Sequence, residues 1–167
     1  MAYICQSSGE AETEVVISEH NERRWRRREE ELIRWSAAAK PRRRPKQTAY
    51  FGGAEIDAEL LAALSLFKRM GIDTEFSCAG VSLLDEPEDH SLYAYITFPA
   101  TDKTEAFVRL AQNRMKHRLL VTFEPGRNRF DLSSFYIGHN RSYCLLIERC
   151  AKQMMEQLER NAARILE

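Results

Sequence analysis

The chain has 167 residues, 44% of them hydrophobic and 30% charged, with 25 basic and 25 acidic side chains that cancel to a formal net charge of zero. That composition fits one globular domain with a full core and argues against a disordered or fibrous chain. No apolar run approaches the roughly 20 residues of a membrane span, and Met1-Ala2-Tyr3-Ile4-Cys5 lacks the basic start and apolar segment of a secretory signal, so a cytoplasmic location is expected.

The charge is segregated. Residues 22–47 hold eleven basic and four acidic side chains, and the rest of the chain carries the compensating acidic excess. Cys5, Cys78, Cys144 and Cys150 are scattered without a CxxC pair, which argues against a zinc ribbon or redox dithiol and for free thiols. The histidines and cysteines lack ligand spacing on any one element, and the acidic run 85–89 lacks the glycine and final glutamate of a calcium loop. Walker, GxGxxG, GxSxG and HExxH patterns are missing too. No metal and no cofactor is expected.

Residues 1–21 read as a polar, mobile segment in which Val15-Val16-Ile17 is a short strand at a sheet edge or subunit contact. Asn21 caps a helix over 21–39, with Trp25, Leu32 and Trp35 as a narrow apolar seam suited to a partner or to the main body. Two prolines end it and make Lys40–Lys46 an extended basic linker. The spacing of Ile56, Leu60, Ala63, Leu64 and Phe67 predicts a helix over 55–70 that stops at Gly71. Ile72, Thr74 and Phe76 alternate like a strand, an acidic loop spans 79–91, and residues 92–98 form a second strand. Thr101 or Asp102 caps a helix to about residue 118 that buries Phe107, Leu110, Ala111 and Met115. Leu119–Phe123 and Phe130–Ile137 pair as a hairpin around Pro125-Gly126-Arg127-Asn128. The last helix, capped by Asn140 or Ser142, carries Tyr143, Ile147, Cys150, Met154, Leu158 and Ile165. This order predicts an α+β (or α/β) domain over 48–167, a mixed sheet of about four strands with packed helices. The mobile segment 1–21 and the basic helix and linker 22–47 precede it.

Chemistry concentrates first in Ser77-Cys78-Ala79-Gly80, a turn that brings a thiol, a hydroxyl and a flexible backbone to a strand end. Cys78 is either a small residue ending a buried strand, a ligand contact, or a nucleophile activated by a nearby cation. His90 and His139 are its candidate partners, and Cys78 with His90 is the candidate catalytic pair. A second site is Gly138-His139-Asn140-Arg141-Ser142, where free N–H groups at a helix start favour phosphate and Arg141 can clamp it. The bland alternative there is plain capping by Asn140. Ligand contacts are thus expected from Ser77, Cys78, Gly80, His90, Tyr95, His139 and Arg141. Arg127 and Arg129 flank a turn that either touches phosphates or is simply solvated. The third candidate is the basic set Arg23, Arg24, Trp25, Arg26, Arg27 and Arg28 with Arg42, Arg43 and Arg44. These meet nucleic acid through phosphates, with Trp25 or Trp35 for stacking, or they meet an acidic protein surface, or they are a solvated helix.

Across residues 55–100, a helix, Gly-Ile-x-Thr, Ser-Cys-x-Gly, a variable loop and Tyr-x-Tyr-Ile-x-Phe follow one another. The series resembles a set of small proteins from phages and their bacterial hosts and, more remotely, the wybutosine-synthesis methyltransferase family that acts on tRNA. The resemblance implies a fold and a site at Ser77, Cys78 and Gly80. Val81 stands where those proteins usually carry Arg or His. The expected function is a phage- or host-defence-related binding protein for a nucleotide or nucleic acid, with RNA favoured. The alternatives are a nucleotide- or tRNA-modifying enzyme with Cys78 near the reaction, and a protein–protein inhibitor or homo-oligomeric scaffold. Partners are then nucleic acid or an acidic protein, with no membrane.

Overall fold

The structure is a computed structural model, and it describes residues 13–39, 45–82 and 90–165. Its centre is a five-stranded sheet of β1 (Val15–Val16), β4 (Ser77–Cys78), β5 (Tyr95–Pro99), β6 (Leu119–Glu124) and β7 (Arg129–Ser134), in the order β1-β6-β7-β5-β4. Every pairing is antiparallel. The α+β side of the expectation is therefore the one realised, built from hairpins rather than crossover units. No helix among the described residues is long and apolar enough to cross a membrane.

Register decides which side chains share a face, because neighbours in a strand point to opposite sides. Ile96, Leu132 and Val121 lie abreast, as do Phe98, Phe130 and Phe123. On these packs a dry core from α2 (Leu61–Met70), α3 (Asp102–Met115) and α4 (Asn140–Ile165). Phe67 of α2 meets Phe98 and Phe107 edge-on, with ring centroids 5.1 and 4.7 Å away. The helix ends follow the sequence. Thr101 and Thr104 form a reciprocal capping box on α3, and Gly71 closes α2 in the left-handed region at φ +68°. The opposite face of the sheet carries Cys78, Tyr95 and Ser133 in one row, and Thr97, Asp131 and Thr122 in the next.

Three segments depart from the sequence reading. The predicted helix over 55–70 begins only at Leu61. Before it, β2 (Thr48–Phe51) and β3 (Ala54–Asp57) form a separate two-stranded hairpin closed by Gly52 and Gly53, both at positive φ. The predicted strand over 72–76 pairs regularly only at Ser77–Cys78, because the Thr97 hydroxyl accepts the Phe76 N–H at 2.8 Å and interrupts the ladder. Phe76 consequently faces solvent instead of the core. The expected mobile segment is, over residues 13–21, tied to the sheet edge. Ile17 N–H donates to the Val121 carbonyl at 2.8 Å, Ser18 Oγ accepts from Val121 N–H at 2.9 Å, and the His20 ring stacks on Phe135 with centroids 3.8 Å apart.

Candidate functional site at the Ser-Cys-x-Gly turn

The unforeseen hairpin supplies half of the site. Lys46 runs up to β2, and Asp57 ends β3 as it turns into the short helical turn before α2. Lys46 Nζ donates to both Asp57 oxygens, at 2.9 and 2.8 Å, and reaches Cys78 Sγ at 3.3 Å. Asp57 Oδ2 also accepts the Ala79 N–H at 2.6 Å, which fixes the turn to the hairpin. The Gly80 and Ser91 N–H groups each point at the same sulfur from 3.4 Å. Three N–H donors thus converge on one thiol, two of them backbone and one an ammonium.

Cys78 is buried, yet it lines an open cavity of about 540 Å³ together with Lys46, Asp57, Ser77, His90 and Tyr95. The structure therefore gathers Ser77, Cys78, His90 and Tyr95 of the predicted set into one place. Burial works against the charge of Lys46, but its bonds to Asp57 and the nearness of Cys78 hold its pKa above the ordinary value. Burial, then Cys78 and Asp131, likewise push the Tyr95 phenol up. At neutral pH the cavity holds an ammonium and a protonated phenol beside the sulfur.

The other side of the turn is locked by the Asn140 amide. Buried Asn140 accepts the Ala94 N–H at 2.8 Å and donates to the Val81 and Leu92 carbonyls, both at 2.8 Å. Its amide is therefore a bridge between two loops and not a helix cap. Gly80, at φ +75°, has Asn140 Nδ2 2.4 Å from where a Cβ would stand. Its freedom serves this internal contact, and Gly80 also lines a cavity on the same side. Arg141 is exposed and lines a second cavity of about 360 Å³ with Glu59, Gly80 and Gly138. Of the N–H groups expected to bind phosphate there, that of Gly138 is already engaged, together with that of Ile137 just before it. Ile137 and Gly138 donate to the Glu31 carboxylate at 2.6 and 3.0 Å. His139 packs edge-on against Tyr136 and is not among the residues lining the Cys78 cavity.

Glu31 belongs to α1 (Glu22–Ala37), whose inner face rests on the body. Trp25 packs edge-on against Phe135 and His20, with centroids 5.0 and 5.8 Å apart. Arg28 lies 3.7 Å over the Tyr93 ring and donates to the Phe135 and Ser134 carbonyls. Burial pushes the Arg28 pKa down, against the pull of Tyr93 and Glu31. Two members of the predicted interface, Trp25 and Arg28, are thereby spent on anchoring the helix and are corrected to that role. Arg23, Arg26 and Arg27 stay exposed, while Arg24 lines a groove with Lys116 and His117. Arg42, Arg43 and Arg44 lie outside the described residues. Arg129 pairs with Glu124 at 2.5 Å and Glu75 at 3.1 Å, and so belongs to an internal network.

Lys46 and Asp57 are the site residues that sequence reasoning missed. The available signal was Thr48-Ala49-Tyr50-Phe51-Gly52-Gly53-Ala54-Glu55-Ile56-Asp57, a Gly-Gly pair between two short strand-forming runs. Comparison of the chain with protein-family models, with curated proteins and with solved structures gives no match. The assignment of function accordingly rests on the geometry of the turn and of α1.

Proposed function

We propose that this protein binds the phosphate backbone of nucleic acid through α1 and the corner that follows α3. The observation that supports this reading is the position of a second basic segment, Lys116-His117-Arg118, beside the first. Arg24 shares a groove with Lys116 and His117, and the charges of Arg24, Arg28 and His117 all bear on His20. Among the described residues, no ion pair holds Arg23, Arg26 or Arg27. Cations without internal partners remain available to phosphates. With Trp25 packed inward, affinity comes from charge rather than from base stacking, so sequence selectivity is weak.

Fluorescence anisotropy with a labelled single-stranded RNA, and with the matching DNA, tests the reading across a salt series. Affinity should fall steeply as salt rises. Replacing Arg23, Arg26 and Arg27 together by Ala should flatten the dependence by about 2 units, since each single-strand phosphate contact contributes roughly 0.7. Absence of binding at low salt, or a slope unchanged in the triple variant, overturns it.

A further inference from the structure

We propose that Cys78 is a catalytic nucleophile for acyl transfer from a small polar ester or thioester, and that Lys46 and Tyr95 receive the carbonyl oxygen of that substrate. The proposal stands apart from nucleic-acid binding and rests on the cavity at the Ser-Cys-x-Gly turn.

Sulfur is a weak hydrogen-bond acceptor, yet Cys78 Sγ collects three donors. Here the sulfur faces the Lys46 ammonium at 3.3 Å and the Gly80 and Ser91 N–H groups at 3.4 Å. Cations and oriented N–H groups around a cysteine are the surroundings a sulfur nucleophile requires. Asp57 orients the ammonium by taking two of its contacts, which leaves Lys46 directed at the sulfur and the cavity. Tyr95 stands directly opposite Cys78 in the β4–β5 register and lines the same cavity. The two remaining described cysteines lack such surroundings. Burial pushes Cys144 up to about 12 and also raises Cys150.

The chemistry closes without a cofactor. The Cys78 thiol gives its proton to solvent as Sγ adds to the carbonyl carbon, and the π pair moves to oxygen, where Lys46 and the Tyr95 hydroxyl stabilise it. That pair then re-forms the carbonyl and expels the alkoxide or thiolate, which takes a proton from solvent. Water next adds to the Cys78 thioester and loses a proton. Collapse releases the carboxylic acid and returns the sulfur. Thr48, Ser77 and Ser91 along the wall suit a polar acyl group.

p-Nitrophenyl acetate is the probe, used on the full chain near neutral pH, with nitrophenolate release followed by absorbance and the acetyl group located by peptide mass. A burst of one nitrophenolate per chain is expected, with the acetyl on the peptide holding Cys78 and the burst gone in Cys78→Ser. Lys46→Met should slow acylation on the order of 100-fold and Lys46→Arg should restore part of it, in line with loss of one oxyanion donor. Tyr95→Phe, which keeps its ring in place, should slow it about tenfold, and it decides the question should Lys46→Met fail to fold. Acetylation of Cys78 no faster than that of glutathione at the same pH overturns the proposal. So does a label on another residue, or a rate unchanged in folded Lys46 and Tyr95 variants.

Discussion

The two sides of the Ser77–Gly80 turn are built on opposite principles. On the Asn140 side, the Asn140 amide is fully paired within the protein, and the glycine is packed so closely that no side chain fits. On the Cys78 side, polar groups converge on a cavity open to solvent. One short motif thus contains a structural half and a chemical half. The loops that flank the thiol are tied to the start of α4 by the Asn140 amide.

Breaking the locked side should have the largest effect. Gly80→Ala places a methyl group 2.4 Å from Asn140 Nδ2 and 2.5 Å from Ala94 N, at a φ that side chains resist. Asn140→Ala leaves the Ala94 N–H and the Val81 and Leu92 carbonyls without their partner. Each should lose about 4 kcal/mol in urea unfolding, the range for strain or a broken buried network. A loss under about 1 kcal/mol in both would mean that the lock is not what holds the turn.

A smaller effect should come from the sheet face that Cys78 shares with Asp131. Burial, reinforced by Glu14 and Glu124 against the pull of Arg129, raises the Asp131 carboxyl to about 7. The folded protein keeps this proton to higher pH than the unfolded chain does. Its contribution is therefore fully present below about pH 4 and is lost as pH rises through 7, on the order of 4 kcal/mol in all, of which roughly 3 kcal/mol is lost between pH 5 and pH 8. Asp131→Asn should flatten the difference in stability between pH 5 and pH 8. An unchanged pH profile in that variant would place the proton elsewhere. Least of all, Cys78→Ser should alter stability by less than about 1 kcal/mol, because the thiol lies outside the apolar cluster and a hydroxyl can keep its donors. A cost of several kcal/mol would instead make Cys78 a packing residue and merge the two halves.

The local elements were readable because their signals are local. Asn21, Thr101 and Gly71 sit at the ends their chemistry predicts, and the apolar spacing finds Phe107, Ala111 and Met115 of α3 and Tyr143, Ile147, Cys150 and Met154 of α4, whereas Leu110 is only partly buried and the expected Leu158 and Ile165 lie exposed beyond the core. Of the seven expected ligand contacts, Ser77, Cys78, His90 and Tyr95 share one cavity, whereas Gly80, His139 and Arg141 do not line it. What escaped depends on distant contacts. Asn140 reads as a cap until the loops at Val81 and Leu92 are brought to it across 59 and 48 residues. Arg28 reads as one more surface cation until Tyr93 slides beneath it. Ile56 fits a helical stripe and a strand equally well, so the Gly-Gly turn was absorbed into a helix and Asp57 was lost with it.

The Asn140 bridge also bears on how the protein matures during synthesis. A ribosome releases Lys46, Asp57, Cys78 and Tyr95 well before residue 140 leaves the exit tunnel, since translation runs from the N-terminus. The nascent chain thus carries the whole constellation while the amide that seats it is still missing. A partly made polypeptide should hold this thiol loosely, and the cavity should take shape only once α4 has emerged.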